Sequence, residues 1–174
     1  MLETGTKLLE NKLGELLKRF PDALVDATEF RGDLAVVVKA GHIREVICFL
    51  KEDPNHRFDI MMDLFAMDYA TFEPVQTERF AVIYLLCSLF QKGRVLLKVF
   101  LPENKREIDS INDLYAAANW FEREAWDLFG IVFTGHPNLR RILCHEDFQG
   151  HPLCKDYPSD GYQQLKKPIG STGL

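Results

Sequence analysis

Four side chains near the C-terminal end are of metal-ligating type: Cys144 with His145, and His151 with Cys154. Thiolates with imidazoles make a zinc set, and the two-residue gap between His151 and Cys154 is a usable ligand spacing. The adjacent pair fits less well, because neighbouring residues seldom turn both side chains onto one ion. The other reading is a set of small and polar side chains in a segment that binds another protein. A second group is carboxylic: Glu122, Glu124 and Asp127 stand around Arg123. Paired carboxylates can act as general acid and base. On a helix, however, Glu122 and Glu124 diverge, whereas Arg123 and Asp127, four apart, can pair along one face. The spacing favours a solvated or interface face over a catalytic dyad.

Other chemistries lack their motifs. There is no G-x-S-x-G elbow for a nucleophile. There is no G-x-G-x-x-G or G-x-x-x-x-G-K-[ST] loop to cradle phosphates. Four-cysteine cluster motifs are missing as well, so an iron–sulfur centre held by this chain alone is not expected. No catalytic, cofactor-binding or metal-ligating residue is therefore assigned. A net charge of −5 argues against a general nucleic-acid binder. Cys48 and Cys87 lie in apolar runs and read as core residues. The first residues mix leucines with Glu3, Lys7 and Glu10, unlike an export signal, so reduced thiols in the cytoplasm are expected. The longest apolar run, Phe80 to Phe90, falls short of the ~20 residues of a membrane helix. Membrane contact is expected only through partners.

These groups need elements to position them. Leu9, Leu13, Leu16, Leu17 and Phe20 recur at helical spacing before Pro21 and predict a first helix. Leu24 to Phe30 and Leu34 to Lys39 predict two strands around Arg31-Gly32-Asp33. Ile43, Val46, Ile47 and Leu50 predict a second helix that ends before Pro54. Phe58 to Tyr69 leans towards strand and turn. Arg79 to Phe90 and Arg94 to Leu101 predict a long antiparallel hairpin. Pro102 to Asp109 reads as a charged loop. Ser110, with Asp113 three residues on, resembles a capping box opening a third helix. Ile111, Leu114, Ala118, Phe121, Ala125 and Leu128 are its expected buried stripe, Gly130 its stop, and Ile131 to Phe133 a short strand. This order predicts an α+β fold, an antiparallel sheet packed with helices.

Composition shifts after Thr134. Four of the eight prolines and three of the five histidines lie beyond it. The expected division is an α+β domain over 1–134 and an extended C-terminal arm for subunit binding over 135–174. The arm has no sustained apolar period, yet Leu139, Ile142, Leu143, Phe148, Leu153 and Tyr157 disfavour simple disorder. It is expected to be mobile in the free chain and ordered on a partner.

The run from Glu122-Arg123-Glu124 through Asp127-Leu128-Phe129-Gly130-Ile131-Val132-Phe133 and on through Gly135-His136-Pro137-Asn138-Leu139-Arg140-Arg141 closely resembles a known signature. It is that of the C subunit family of proton-translocating NADH:quinone oxidoreductase, respiratory complex I. Asp147-Phe148, Gly150-His151-Pro152-Leu153 and Lys155-Asp156-Tyr157-Pro158 extend the likeness. It is dense over 110–158 and diffuse over 1–109. Cys144 and Cys154 depart from the family's usual Thr and basic residue.

The resemblance implies an α+β domain whose C-terminal segment wraps a neighbouring D subunit, close to the cluster-bearing B and I subunits. FMN, iron–sulfur clusters and quinone are then expected in partner subunits and none in this chain. The implied place is the cytoplasmic face of the bacterial inner membrane. Glu122, Glu124, Trp126, Phe129, His136, Arg140, Arg141 and His151 are the expected subunit-interface residues. Trp and Arg are common energetic anchors, although Trp126 and Phe129 can equally finish the domain core. The alternatives are the equivalent subunit of a membrane-bound hydrogenase, a formate-hydrogenlyase-like or a plastoquinone-type complex, and, from another class, a stand-alone small-molecule enzyme using Glu122, Glu124 or Asp127.

Overall fold

The computed structural model describes residues 14–73, 76, 78–161 and 163. It opens in a helical stretch over 14–19 whose Leu16 is fully buried; Leu9 and Leu13 of the expected first helix lie outside the described residues. Five strands form one sheet: β1 (Leu24–Phe30), β2 (Asp33–Val38), β3 (Ile60–Asp68), β4 (Phe80–Ser88) and β5 (Gly93–Leu101). Their order is β1-β2-β5-β4-β3. Three neighbouring pairs are antiparallel, including the β4–β5 hairpin, which registers Phe80 opposite Leu101 and Ser88 opposite Gly93. The sheet departs from the purely antiparallel expectation at β2 and β5, which pair in parallel. Strands far apart in sequence meet there, and no local pattern fixes their direction.

Helix α1 (Ile43–Glu52) buries Ile43, Val46, Ile47 and Leu50, the stripe its spacing requires. It shares one apolar layer with Val36, Val38, Leu97, Val99 and Val82 of the sheet. Helix α2 (Ala118–Phe129) adds Ala118 and Ala125 to the same layer. The opposite side of the sheet carries a smaller cluster, in which Met67, Leu96 and Phe100 pack against Tyr69, Ala81 and Ile83.

The expected start of α2 is corrected. Residues 111–117 make turns, and the helix begins at Ala118 with no side-chain cap. Arg44 is the reason: it donates to the Ser110 carbonyl at 2.8 Å and to both Asp113 oxygens at 2.6 and 2.5 Å. Asp113 is thus taken by a residue from α1. The expected charged loop also ends in a strand, β6 (Glu107–Asp109), which pairs in parallel with β7 (Val132–Thr134). From 135 onward the described residues contain turns and bends but neither helix nor strand. Among the described residues, no helix is long and apolar enough to cross a membrane.

Candidate functional site: a clamp on the C-terminal segment

Two of the three carboxylates expected on a solvated or interface face are buried. Glu122 and Asp127 are fully enclosed, and Arg123 nearly so. Helical spacing explains Glu122, which falls between Ala118 and Ala125 on the inward stripe. A buried polar group must find partners inside the protein. For Glu122 these are Ser110, whose hydroxyl donates at 2.6 Å, and the Ile111 amide at 2.8 Å. Burial pushes the Glu122 pKa up to about 7, aided by Asp113 and against those two hydrogen bonds.

Asp127 faces the segment after β7. Its Oδ2 accepts backbone N–H bonds from Ile142 at 3.0 Å, Leu143 at 2.8 Å and Cys144 at 2.9 Å. Its Oδ1 accepts from Arg141 at 2.5 Å. Burial alone would raise its pKa; the backbone donors and the Arg141 guanidinium together outweigh it and hold the carboxyl down at about 2. Three successive amides around one oxygen form an anion-binding concavity filled by an internal carboxylate. The expected Arg123–Asp127 pair is not formed. Arg123 instead donates to the carbonyls of Arg140 and Arg141 at 3.1 and 3.0 Å.

The same segment is held again further on. His151 donates from Nδ1 to the Asp127 carbonyl at 2.9 Å, and the Leu153 amide donates to the Leu128 carbonyl at 3.0 Å. Asp68, at the end of β3, accepts from Arg79 at 3.1 and 2.8 Å and from the Lys155 amide at 2.8 Å. Arg79 also donates to Asp156 at 2.8 Å and pairs with Glu103. The segment from Gly135 to Tyr157 is therefore a strap lashed to its own domain at both ends.

The expected interface residues divide accordingly. Arg141 was expected to reach a partner carboxylate. Its guanidinium is instead spent within the chain, on Asp127 and on the carbonyls of Phe148 and Gly150 at 2.7 and 3.0 Å. Glu122 and His151 are likewise internal. Trp126 is half-buried and stands edge-on to His151, 6.3 Å between ring centres. Phe129 is half-buried against the core. His136 donates from Nε2 to the Asn119 carbonyl at 3.1 Å and accepts the Asn138 amide at Nδ1. Glu124 and Arg140 are exposed. So are Leu143 and Leu153, which the strap turns outward.

The four candidate zinc ligands do not gather: no three of Cys144, His145, His151 and Cys154 come together. Asp68, Cys154 and Asp156 do converge, but Arg79 already supplies the cation between the two carboxylates. Sequence reasoning missed the Asp68–Arg79–Lys155 contact altogether. Its partners are up to 87 residues apart, so no spacing could have announced it. Glu122 did carry a signal, its place within the inward stripe.

Fold and clamp together define a mixed α+β domain whose buried carboxylates bind its own C-terminal strap. The chain belongs to the family described as respiratory-chain NADH dehydrogenase, 30 Kd subunit, whose model matches residues 36–163. It is 45% identical over 146 residues to the C subunit of NADH-quinone oxidoreductase from Roseiflexus sp. (strain RS-1), covering 84% of this chain and 82% of that one. A solved relative, the Nqo5 trypsin-resistant fragment (1-134), is 34% identical with a TM-score of 0.65, covering 75% of this chain and 98% of that one. A chain of the membrane-bound sulfane sulfur reductase, an archaeal respiratory membrane complex, shares the fold with a TM-score of 0.70 at 22% identity, covering 90% of this chain and 96% of that one.

Proposed function

We propose that the chain is a structural and assembly subunit in the peripheral arm of NADH:quinone oxidoreductase, the complex that couples electron transfer from NADH to quinone with proton translocation. In this reading it contributes no redox centre. FMN, iron–sulfur clusters and quinone are held by partner subunits, the D subunit is the foremost neighbour, and B and I lie close by. The chain sits at the cytoplasmic face of the bacterial inner membrane, as part of that membrane-bound complex.

The observation that supports this is how the signature residues are used. Arg123, Asp127 and Arg141 are consumed in shaping a strap, and Glu122 in holding the Ser110–Ile111 turn before α2. What the strap offers outward is Arg140, Leu143 and Leu153. A guanidinium beside exposed leucines is a docking surface rather than a reaction centre.

Cells lacking the chain should lose membrane NADH:quinone activity, and re-expression should restore it. The purified chain should carry neither flavin nor iron by absorbance. Arg140→Ala should leave its melting temperature unchanged while weakening incorporation on a native gel. Unchanged membrane activity without the chain, or stoichiometric flavin or iron on the chain alone, would overturn the reading.

A further inference from the structure

The sheet has two apolar faces, and α1 and α2 cover only one. Along β5, Val95, Leu97 and Val99 belong to the helix-covered layer, while Leu96 and Phe100 join the cluster on the other side. Lys98 alternates with them. The register continues this second floor: Val37 and Ile83 flank Lys98, and Phe65 pairs with Ile83. A groove of about 790 Å³ lies over it. Phe65 is 40% exposed and Val25 49%. An apolar patch of this kind left open marks a contact surface.

Lys98 stands in the middle of this floor. Its ammonium lies 4.7 Å from the centre of the Tyr69 ring and 4.8 Å from that of Phe100. Among the described residues it forms no ion pair with a carboxylate. Asp26 also lines the groove, its backbone two strands and roughly 10 Å from that of Lys98, but its carboxylate accepts the Ala27 amide and forms no ion pair with Lys98. Covering the groove strips water from the ammonium, so whatever covers it must return a compensating charge. A second copy docked with its two-fold axis through the middle of this floor brings Lys98 against Lys98. Residues 164–174 carry Lys166 and Lys167 and no acid, again the wrong sign.

We propose that this face docks an amphipathic helix of a neighbouring subunit, its apolar stripe on the floor and one Asp or Glu on Lys98. The inference rests on the assembly reading above and adds a second contact surface, separate from the strap.

The test places the photo-crosslinking residue p-benzoylphenylalanine at position 96 of the chain, expressed in its own complex, and maps the adduct by mass spectrometry. The expected adduct is an apolar helix of another subunit with an Asp or Glu within a turn. Hydroxyl-radical labelling of Phe65 and Met67 should fall by about tenfold between free chain and complex, as for a desolvated interface core. Lys98→Glu should cut incorporation by about tenfold or more, from like-charge juxtaposition, and Lys98→Arg should not. Changing the crosslinked acid to Lys should rescue Lys98→Glu. The melting temperature of each isolated variant separates misfolding from failed docking, and Lys98→Met is the replacement should Lys98→Glu misfold. Adducts on residues 1–13 or on a second copy overturn the proposal, as does equal labelling in both states or normal incorporation of a folded Lys98→Glu chain. A wild-type chain absent from the complex overturns the assembly reading itself, which distinguishes the two failures.

Discussion

Glu122 and Asp127 sit five residues apart on one helix, both fully buried, and their electrostatics run in opposite directions. Asp127 is surrounded by three amides and a guanidinium, which favour its charged form; Glu122 has one hydroxyl and one amide, too little to offset burial. Asp127, with a folded pKa near 2 below an ordinary 3.8, stabilises the fold at higher pH, a contribution lost as pH falls through 2. Glu122, with a folded pKa near 7 above an ordinary 4.5, binds its proton more tightly folded than unfolded. Its contribution is complete below 4.5 and lost as pH rises through 7, on the order of 3 kcal/mol. Glu122→Gln keeps a neutral, hydrogen-bonding side chain, so its urea-melt stability should fall less than that of wild type between pH 4.5 and 7. Identical slopes for the two proteins over that window would refute the assignment. The reading of Glu122 as a surface or interface carboxylate came from its spacing to Glu124 and to the Arg123–Asp127 pair, not from its place in the apolar stripe. Its position between Ala118 and Ala125 pointed inward, and periodicity was the better guide.

At the scale of elements, the end of α2 shows a double constraint. Gly130 caps the helix in the left-handed region at φ 75°, and a Cβ there would lie 2.7 Å from the His151 ring. Gly135 is also left-handed, at φ 83°, but has open space around it. Gly135→Ala should therefore cost only backbone strain, about 1 kcal/mol, while Gly130→Ala adds the displacement of His151 and should cost about 2–3 kcal/mol. Thermal melts give the comparison, and the His151 ring resonances should shift only in Gly130→Ala. Equal losses would mean that the His151 contact is unimportant. The sequence announced this helix stop, and it announced the β4–β5 hairpin to within a residue or two, because both depend on neighbours in the chain. The start of α2 was misread because Ser110 and Asp113 satisfy a local capping pattern while Arg44, 66 residues from Ser110, claims them instead. The parallel β2–β5 pair was hidden for the same reason.

The whole molecule is a sheet domain plus a strap, and the two need not open together. The domain is held by an apolar core; the strap from Gly135 to Tyr157 adds only Cys154, Leu139 and Tyr157 to that core and is otherwise held by hydrogen bonds and ion pairs at its two ends. Segments with few apolar contacts open locally at free energies below that of global unfolding. Arg140, Arg141 and Lys155 put trypsin sites within the strap. Trypsin should therefore cut the free chain there first and leave the sheet domain intact, and cutting should slow once the chain is in its complex. When reclosing is faster than cleavage, the cutting rate follows the opening equilibrium. Asp127→Ala leaves the Arg141 guanidinium and the amides of 142–144 without their carboxylate. Stranding a buried charge costs about 3–5 kcal/mol, which the chain can relieve by opening the strap. Strap cleavage should then accelerate by roughly 100-fold to a few thousand-fold, while the domain's melting temperature changes little. Asp68→Ala should have a smaller effect, confined to the end near Lys155, because Arg79 keeps Asp156 and Glu103 as partners. An Asp127→Ala strap cut no faster than wild type would show that the clamp does not govern opening. Loss of strap and domain in one transition would show that they form a single cooperative unit.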